Sequence, residues 1–173
     1  MNTTVKLAAL LAAVAGGTFV ASAAHASTAT DTFDVSMTIT AACSVTAGSA
    51  SDIDLGTVAS TATDLGDSSN ITVKCSNTVP YYVGMAPSSG ATSGAGSLSP
   101  SGSSPDTVPY QLRSSAGTSG AVWGNTATTT AVGNGVAGTG NGSDQTLTAY
   151  VTAPSANYAP DTYSDTVTVT VNY

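Results

Sequence analysis

The last eleven residues, Tyr163 to Tyr173, alternate apolar and polar side chains, Asp165 excepted, and place Val167, Val169, Val171 and Tyr173 on one face. Strict alternation is the period of a half-buried β-strand. A second run, Phe33-Asp34-Val35-Ser36-Met37-Thr38-Ile39, repeats the pattern near the other end. A strand at a sheet edge offers unpaired N–H and C=O groups, and proteins usually blunt such edges with charge, proline or bulges. Neither run contains lysine or proline. Both runs are therefore expected to form edges that some other strand completes.

Between them, short β-like segments recur: Cys43 to Ala47, Ile53 to Val58, Ile71 to Cys75, Tyr81 to Met85, Val108 to Leu112, and Leu147 to Val151. Each is bounded by Gly, Pro, Ser, Asn or Asp, and such spacing predicts a β-sandwich of immunoglobulin-like size in one domain. Two stretches rich in Gly and Ser, Pro87 to Asp106 and Ala116 to Ser143, read as flexible surface loops. Trp123 lies inside the second, where its large apolar area favours anchoring on the core over ligand contact.

The first 26 residues read as a secretory signal. Lys6 charges the start, an apolar stretch runs from Leu7 to Val20, and Ala24-His25-Ala26 supplies a small-x-small cleavage site. A retained membrane helix is the competing reading, and Gly16, Gly17 and the Ala/Ser-rich end of the segment favour cleavage. No Cys stands just after the cut, which argues against a lipoprotein anchor. Cleavage leaves 147 of the 173 residues and no expected stable membrane insertion.

Charge and chemistry narrow the function. Past residue 26 there remain Lys74 and Arg113 against ten Asp, a net charge of −8, which repels nucleic acid and anionic lipid. There is no Glu, and helix formers other than Ala are scarce. Cys43 and Cys75, the only cysteines, are expected to form a disulfide in an oxidising compartment. No histidine follows residue 25, so serine triads have no base and a metal site lacks its commonest ligand. Asp52/Asp54 and Asp161/Asp165 were the available carboxylate pairs; beside Gly56 and Pro160 they read as turn formers, and no EF-hand spacing is present. We expect no catalytic residues, no metal and no cofactor.

The chain resembles the spore coat protein U domain family, which includes pilin subunits of archaic chaperone-usher pili. The resemblance is carried by Thr38-Ile39-Thr40-Ala41-Ala42-Cys43-Ser44-Val45, Leu55-Gly56-Thr57-Val58, Ile71-Thr72-Val73-Lys74-Cys75 and Pro80-Tyr81-Tyr82-Val83-Gly84-Met85. It continues through Tyr110-Gln111-Leu112-Arg113, Val122-Trp123-Gly124 and the run from Tyr163 to Tyr173. The chain departs from the common pattern at Ala159-Pro160-Asp161-Thr162, in place of a glycine-containing turn, and at Tyr150-Val151, in place of an aromatic-glycine pair.

The resemblance implies an all-β fold, an incomplete immunoglobulin-like sandwich lacking its last strand and completed by donor-strand complementation. It implies a donor extension over residues 27–41 ahead of a domain over 42–173. Phe33, Val35, Met37 and Ile39 would be the donor side chains, and Val167, Val169, Val171 and Tyr173 the acceptor and chaperone-binding edge. The implied partners are copies of the chain or related pilins, a periplasmic chaperone and an outer-membrane usher, at the cell surface in a pilus or coat. The alternatives are a self-complemented coat or matrix protein, and a carbohydrate-binding module using Tyr81, Tyr82, Trp123 and Tyr158.

Overall fold

Among the described residues, nine strands, paired antiparallel throughout, follow from a sequence in which Val, Thr, Tyr and Ile alternate with small polar residues. The computed structural model describes residues 26–173; the proposed signal segment, except its last residue, lies outside them. Contacts divide the chain into two units, residues 1–37 and residues 38–173. In the first, residues 26–37 form neither helix nor strand.

The second unit holds two sheets. The larger runs in the order β1 (Cys43–Thr46), β2 (Thr63–Cys75), β7 (Asp144–Ser155), β5 (Val108–Arg113), β4 (Ala95–Pro100), β8 (Tyr163–Ser164). The smaller places β3 (Pro80–Pro87) between β6 (Val136–Thr139) and β9 (Val167–Asn172). The long β2–β7 ladder, from Thr63↔Ser155 to Lys74↔Asp144, forms the spine of the larger sheet. The exposed Lys74–Asp144 ion pair at its end, 3.7 Å, adds little.

Alternation decides which face is buried. Ile71, Val73 and Cys75 of β2 meet Tyr81, Val83 and Met85 of β3, Tyr110 and Leu112 of β5, and Ala149, Val151 and Ala153 of β7 in one core. Trp123 completes it, with its indole N–H donating to the Val83 carbonyl at 2.8 Å.

Two expectations need correction. The segment Ile53 to Val58 is not a strand: Asp54 accepts a bond from the Gly56 amide at 2.8 Å, and Gly56 takes a left-handed φ of 78°, so Ile53 and Leu55 reach the core from a turn. The Gly/Ser-rich stretches contain β4 and β6, and are bonded to each other through Asn125 N–H to Thr92 O and Asn134 Nδ2 to Thr92 O, 2.9 and 2.8 Å. Glycine permits this closeness, since a Cβ at Gly124 would sit 2.1 Å from Thr92 O. Phe33 to Ile39, expected to pair with another copy, lies in no strand of the single chain.

Candidate functional site

The acceptor-like run begins with a change of sheet. β8 pairs with β4 in the larger sheet, whereas β9, only Asp165 and Thr166 later, pairs with β3 in the smaller one. Opposite residues in an antiparallel pair share a face. Val171 lies across from Val83, Val169 from Met85 and Val167 from Pro87, so the three valines take the face of β3 that is fully buried. They pack against the core but remain only half-buried. Tyr173 lies past the end of β9 and is 49% exposed.

Among the described residues, no strand pairs with the other side of β9. The same holds for β1 at the border of the larger sheet, and these two edges approach each other. β1 contributes Cys43 and Val45, again packed on the core and half-buried. Cys43 sits opposite Cys75 with Cα atoms 4.1 Å apart, and a disulfide joins them as expected. Closing a loop across a sequence separation of 32 stabilises by roughly 3–4 kcal/mol on the chain-entropy account. The link also ties a four-residue edge strand to the core residue Cys75. The result is two neighbouring sheet edges, each with free main-chain groups on one side and incompletely covered apolar side chains beneath.

The entry to β9 is held by carboxylates. Tyr110 Oη donates to Asp165 Oδ2 at 2.7 Å, and the Thr166 amide donates to Asp165 Oδ1 at 2.8 Å. Desolvation, the largest single influence on Asp165, raises its pKa; hydrogen bonds from Ser88, Tyr110 and Thr166 outweigh it and bring the value below the usual carboxylate range. The Tyr110 phenol is pushed far up by burial and then by Asp165. In the preceding turn, Asp161 accepts bonds from Thr162 N–H, Gly102 N–H and Ser101 Oγ, and the backbone bond from Thr162 leads in lowering its pKa. Tyr163 Oη caps the turn by donating to Ala159 O at 2.7 Å.

Phe33, Val35, Met37 and Ile39 are 79–87% exposed and lie in no strand. The structure thus brings together the valines of β9, and separately the two cysteines, without placing the four N-terminal side chains in a sheet. The carbohydrate-module reading loses its main residue: Trp123 and Tyr81 are each 1% exposed and present no ring to a ligand. Sequence reasoning missed β1 as a second border and missed the Tyr110–Asp165 bond. The even apolar spacing of Cys43 and Val45 was a signal for the first; a bond between residues 55 positions apart leaves none.

Residues 29–170 match the Spore Coat Protein U domain family. No curated protein matches the chain. Among solved structures, the chain is similar to a crystal structure of a CsuC–CsuE chaperone-tip adhesion subunit pre-assembly complex from archaic chaperone-usher Csu pili of Acinetobacter baumannii. The identity is 21% and the TM-score 0.51, over 79% of this chain and 40% of that one. The chain therefore spans about two fifths of the length of that neighbour, with which it shares a fold.

Proposed function

This chain belongs to the Spore Coat Protein U domain family, and from that premise we propose that it is a structural, non-enzymatic pilin-like subunit that polymerises by donor-strand exchange. The observation that supports this reading is the pair of borders, β1 and β9, unpaired among the described residues, whose half-buried Val45, Val167, Val169 and Val171 lack the cover a further strand would give. The donor is the segment holding Phe33, Val35, Met37 and Ile39 of another copy, whose side chains are exposed. An extended segment added to a sheet edge gains affinity from main-chain bonds and specificity from alternate side chains. Burying four such side chains contributes roughly 6–12 kcal/mol before ordering costs, comparable to the stability of a small domain. Head-to-tail contacts of this kind grow open filaments.

In this reading residues 27–41 are the donor extension and 42–173 the receiving domain. A periplasmic chaperone covers the open borders first, an outer-membrane usher hands the subunit on, and the product is a filament or coat at the cell surface. A shaft position fits better than a tip, because the chain carries a donor segment.

Deleting Ser27 to Thr40 tests the assignment. The deleted chain should still bind a chaperone while filament growth stops; continued growth would overturn the donor role. A mature chain that is a stable monomer without any chaperone would favour the self-complemented coat protein.

A further inference from the structure

The change of sheet between β8 and β9 makes the start of the receiving strand a mechanical problem. Asp165 and Thr166 connect two strands that belong to different sheets, and among the described residues β9 is held by strand hydrogen bonds on one side only. An edge strand of six residues attached through a two-residue link has freedom to fray and to slide in register. Sliding by one residue would exchange Val167, Val169 and Val171 for Thr168, Thr170 and Asn172 on the core face.

One side-chain contact opposes this from the other sheet. Tyr110 is the second buried residue of β5 counting from Val108, is 4% exposed, and pairs in register with Gly96 of β4. Its ring occupies the space above Gly96: a Cβ built there would lie 2.3 Å from Tyr110 Cζ. Fixed in this way between two strands of the larger sheet, the phenol projects its hydroxyl onto Asp165 Oδ2 at 2.7 Å. The other carboxylate oxygen takes the Thr166 amide at 2.8 Å, so the carboxylate joins the larger sheet to the first residues leading into β9.

We propose that Tyr110 and Asp165 are positioning residues for donor-strand capture: they set the register of β9 and preorganise it to receive an incoming strand. This rests on the donor-strand reading above. Neither residue touches the donor; both act through β9. Preorganisation lowers the ordering cost that an added strand otherwise meets. The ionisation states agree, since Asp165 is held as a carboxylate and Tyr110 as a phenol over the neutral range.

The experiment compares the mature chain with its Tyr110→Phe and Asp165→Ala variants, and tyrosine to phenylalanine keeps the ring over Gly96. Two quantities are read: hydrogen exchange at the amides of Val167 to Asn172, with those of β2 and β7 as internal reference, and affinity for a labelled synthetic peptide of residues 31–41. In both variants the β9 amides should exchange roughly tenfold faster or more, the effect of losing a hydrogen bond to a charged group, while β2 and β7 amides stay protected. Peptide affinity should fall by a similar factor. Unchanged β9 exchange and unchanged peptide affinity in Tyr110→Phe would overturn the proposal, as would equal loosening of β2, β7 and β9, which marks a merely structural residue. If the peptide binds to no variant, the wild type included, the donor-strand reading fails; selective loosening of β9 would then still establish the role of the pair in setting that strand.

Discussion

The indole N–H of Trp123 and the carbonyl of Val83 meet at 2.8 Å, joining a loop of Gly/Ser-rich sequence to the central strand of the smaller sheet. Val83 is also the residue opposite Val171, so the loop supports, from within the core, the strand on which β9 hangs.

Replacing Trp123 should therefore act on stability first. Trp123→Ala removes a fully buried ring and leaves the Val83 carbonyl without this partner, so we expect a loss of about 3–5 kcal/mol in denaturant unfolding. Trp123→Phe should lose less. A variant with an unchanged midpoint would show that the ring is not a core anchor.

The glycines beneath the two buried tyrosines should be intolerant. A Cβ at Gly96 would fall 2.3 Å from Tyr110 Cζ, and one at Gly138 would fall 2.2 Å from Tyr81 Cζ. Each tyrosine is the register partner of its glycine. Tyr110 cannot swing away cheaply because its hydroxyl is bonded to Asp165. Gly96→Ala and Gly138→Ala should each cost roughly 1–3 kcal/mol, the range for overpacking, whereas Gly48→Ala, with open space around it, should be near neutral.

These same pairs explain what the sequence concealed. The alternating runs marked the inward faces of β2, β3, β5, β7 and β9, because apolar side chains stand there at every second position. β4 and β6 read Ala-Gly-Ser-Leu-Ser-Pro and Val-Ala-Gly-Thr, with glycine where an apolar side chain would mark the pattern. The missing surface is supplied from the neighbouring strand by Tyr110 and Tyr81, a substitution that a period count along one strand cannot register. The opposite error occurred at Ile53 to Val58, where apolar residues reach the core from a turn. At the C-terminal run Asp165 breaks the apolar phase between Tyr163 and Val167, and the chain changes sheets at that interruption, a sign missed by reading the eleven residues as one strand. The candidate edge was legible from its valines, but the contact that positions it was not.

Stability should fall at both ends of the pH scale for reasons located at one contact. Asp165 is more acidic folded than unfolded, so its contribution is present above the unfolded value near 4 and is lost as pH falls through the folded one. Tyr110 is less acidic folded than unfolded, so its contribution is complete below about pH 10 and is lost as pH rises beyond it. Melting temperatures between pH 2 and 5 should decline less steeply for Asp165→Asn than for the wild type. Between pH 9 and 11.5 the decline should be shallower for Tyr110→Phe, though not absent, because burial also raises the Tyr81 phenol. Parallel curves for variant and wild type on either limb would contradict the assignment.

Removing the disulfide separates its effect on the fold from its effect on the border. Cys43→Ser with Cys75→Ser frees β1 from the core residue Cys75, and the unfolding free energy should drop by about 2–4 kcal/mol. Exchange at the amides of Cys43 to Thr46 should accelerate more than exchange in β7, since β1 is paired on one side only among the described residues. Uniform acceleration across the larger sheet would mean that the link stabilises the domain without a particular hold on this edge.

Under donor-strand exchange every subunit has one donating and one receiving end, and substitutions should block these ends independently. Val35 is 86% exposed, so Val35→Asp leaves the folded subunit intact, yet places a carboxylate where the donor must enter an apolar site. Val169→Asp introduces the charge on the receiving strand opposite the buried Met85, and Val169→Thr serves as a milder form should the first fail to fold. Val35→Asp subunits should accept but not donate; Val169→Asp subunits should donate but not accept. Each alone should therefore remain short, and small amounts of either should shorten wild-type filaments in proportion to their mole fraction, by capping opposite ends. Mixed with each other, they should stop at dimers, because the one competent donor meets the one competent acceptor and neither remaining end can extend. Long filaments from that mixture, seen by light scattering or electron microscopy, would show that growth does not proceed through these two segments.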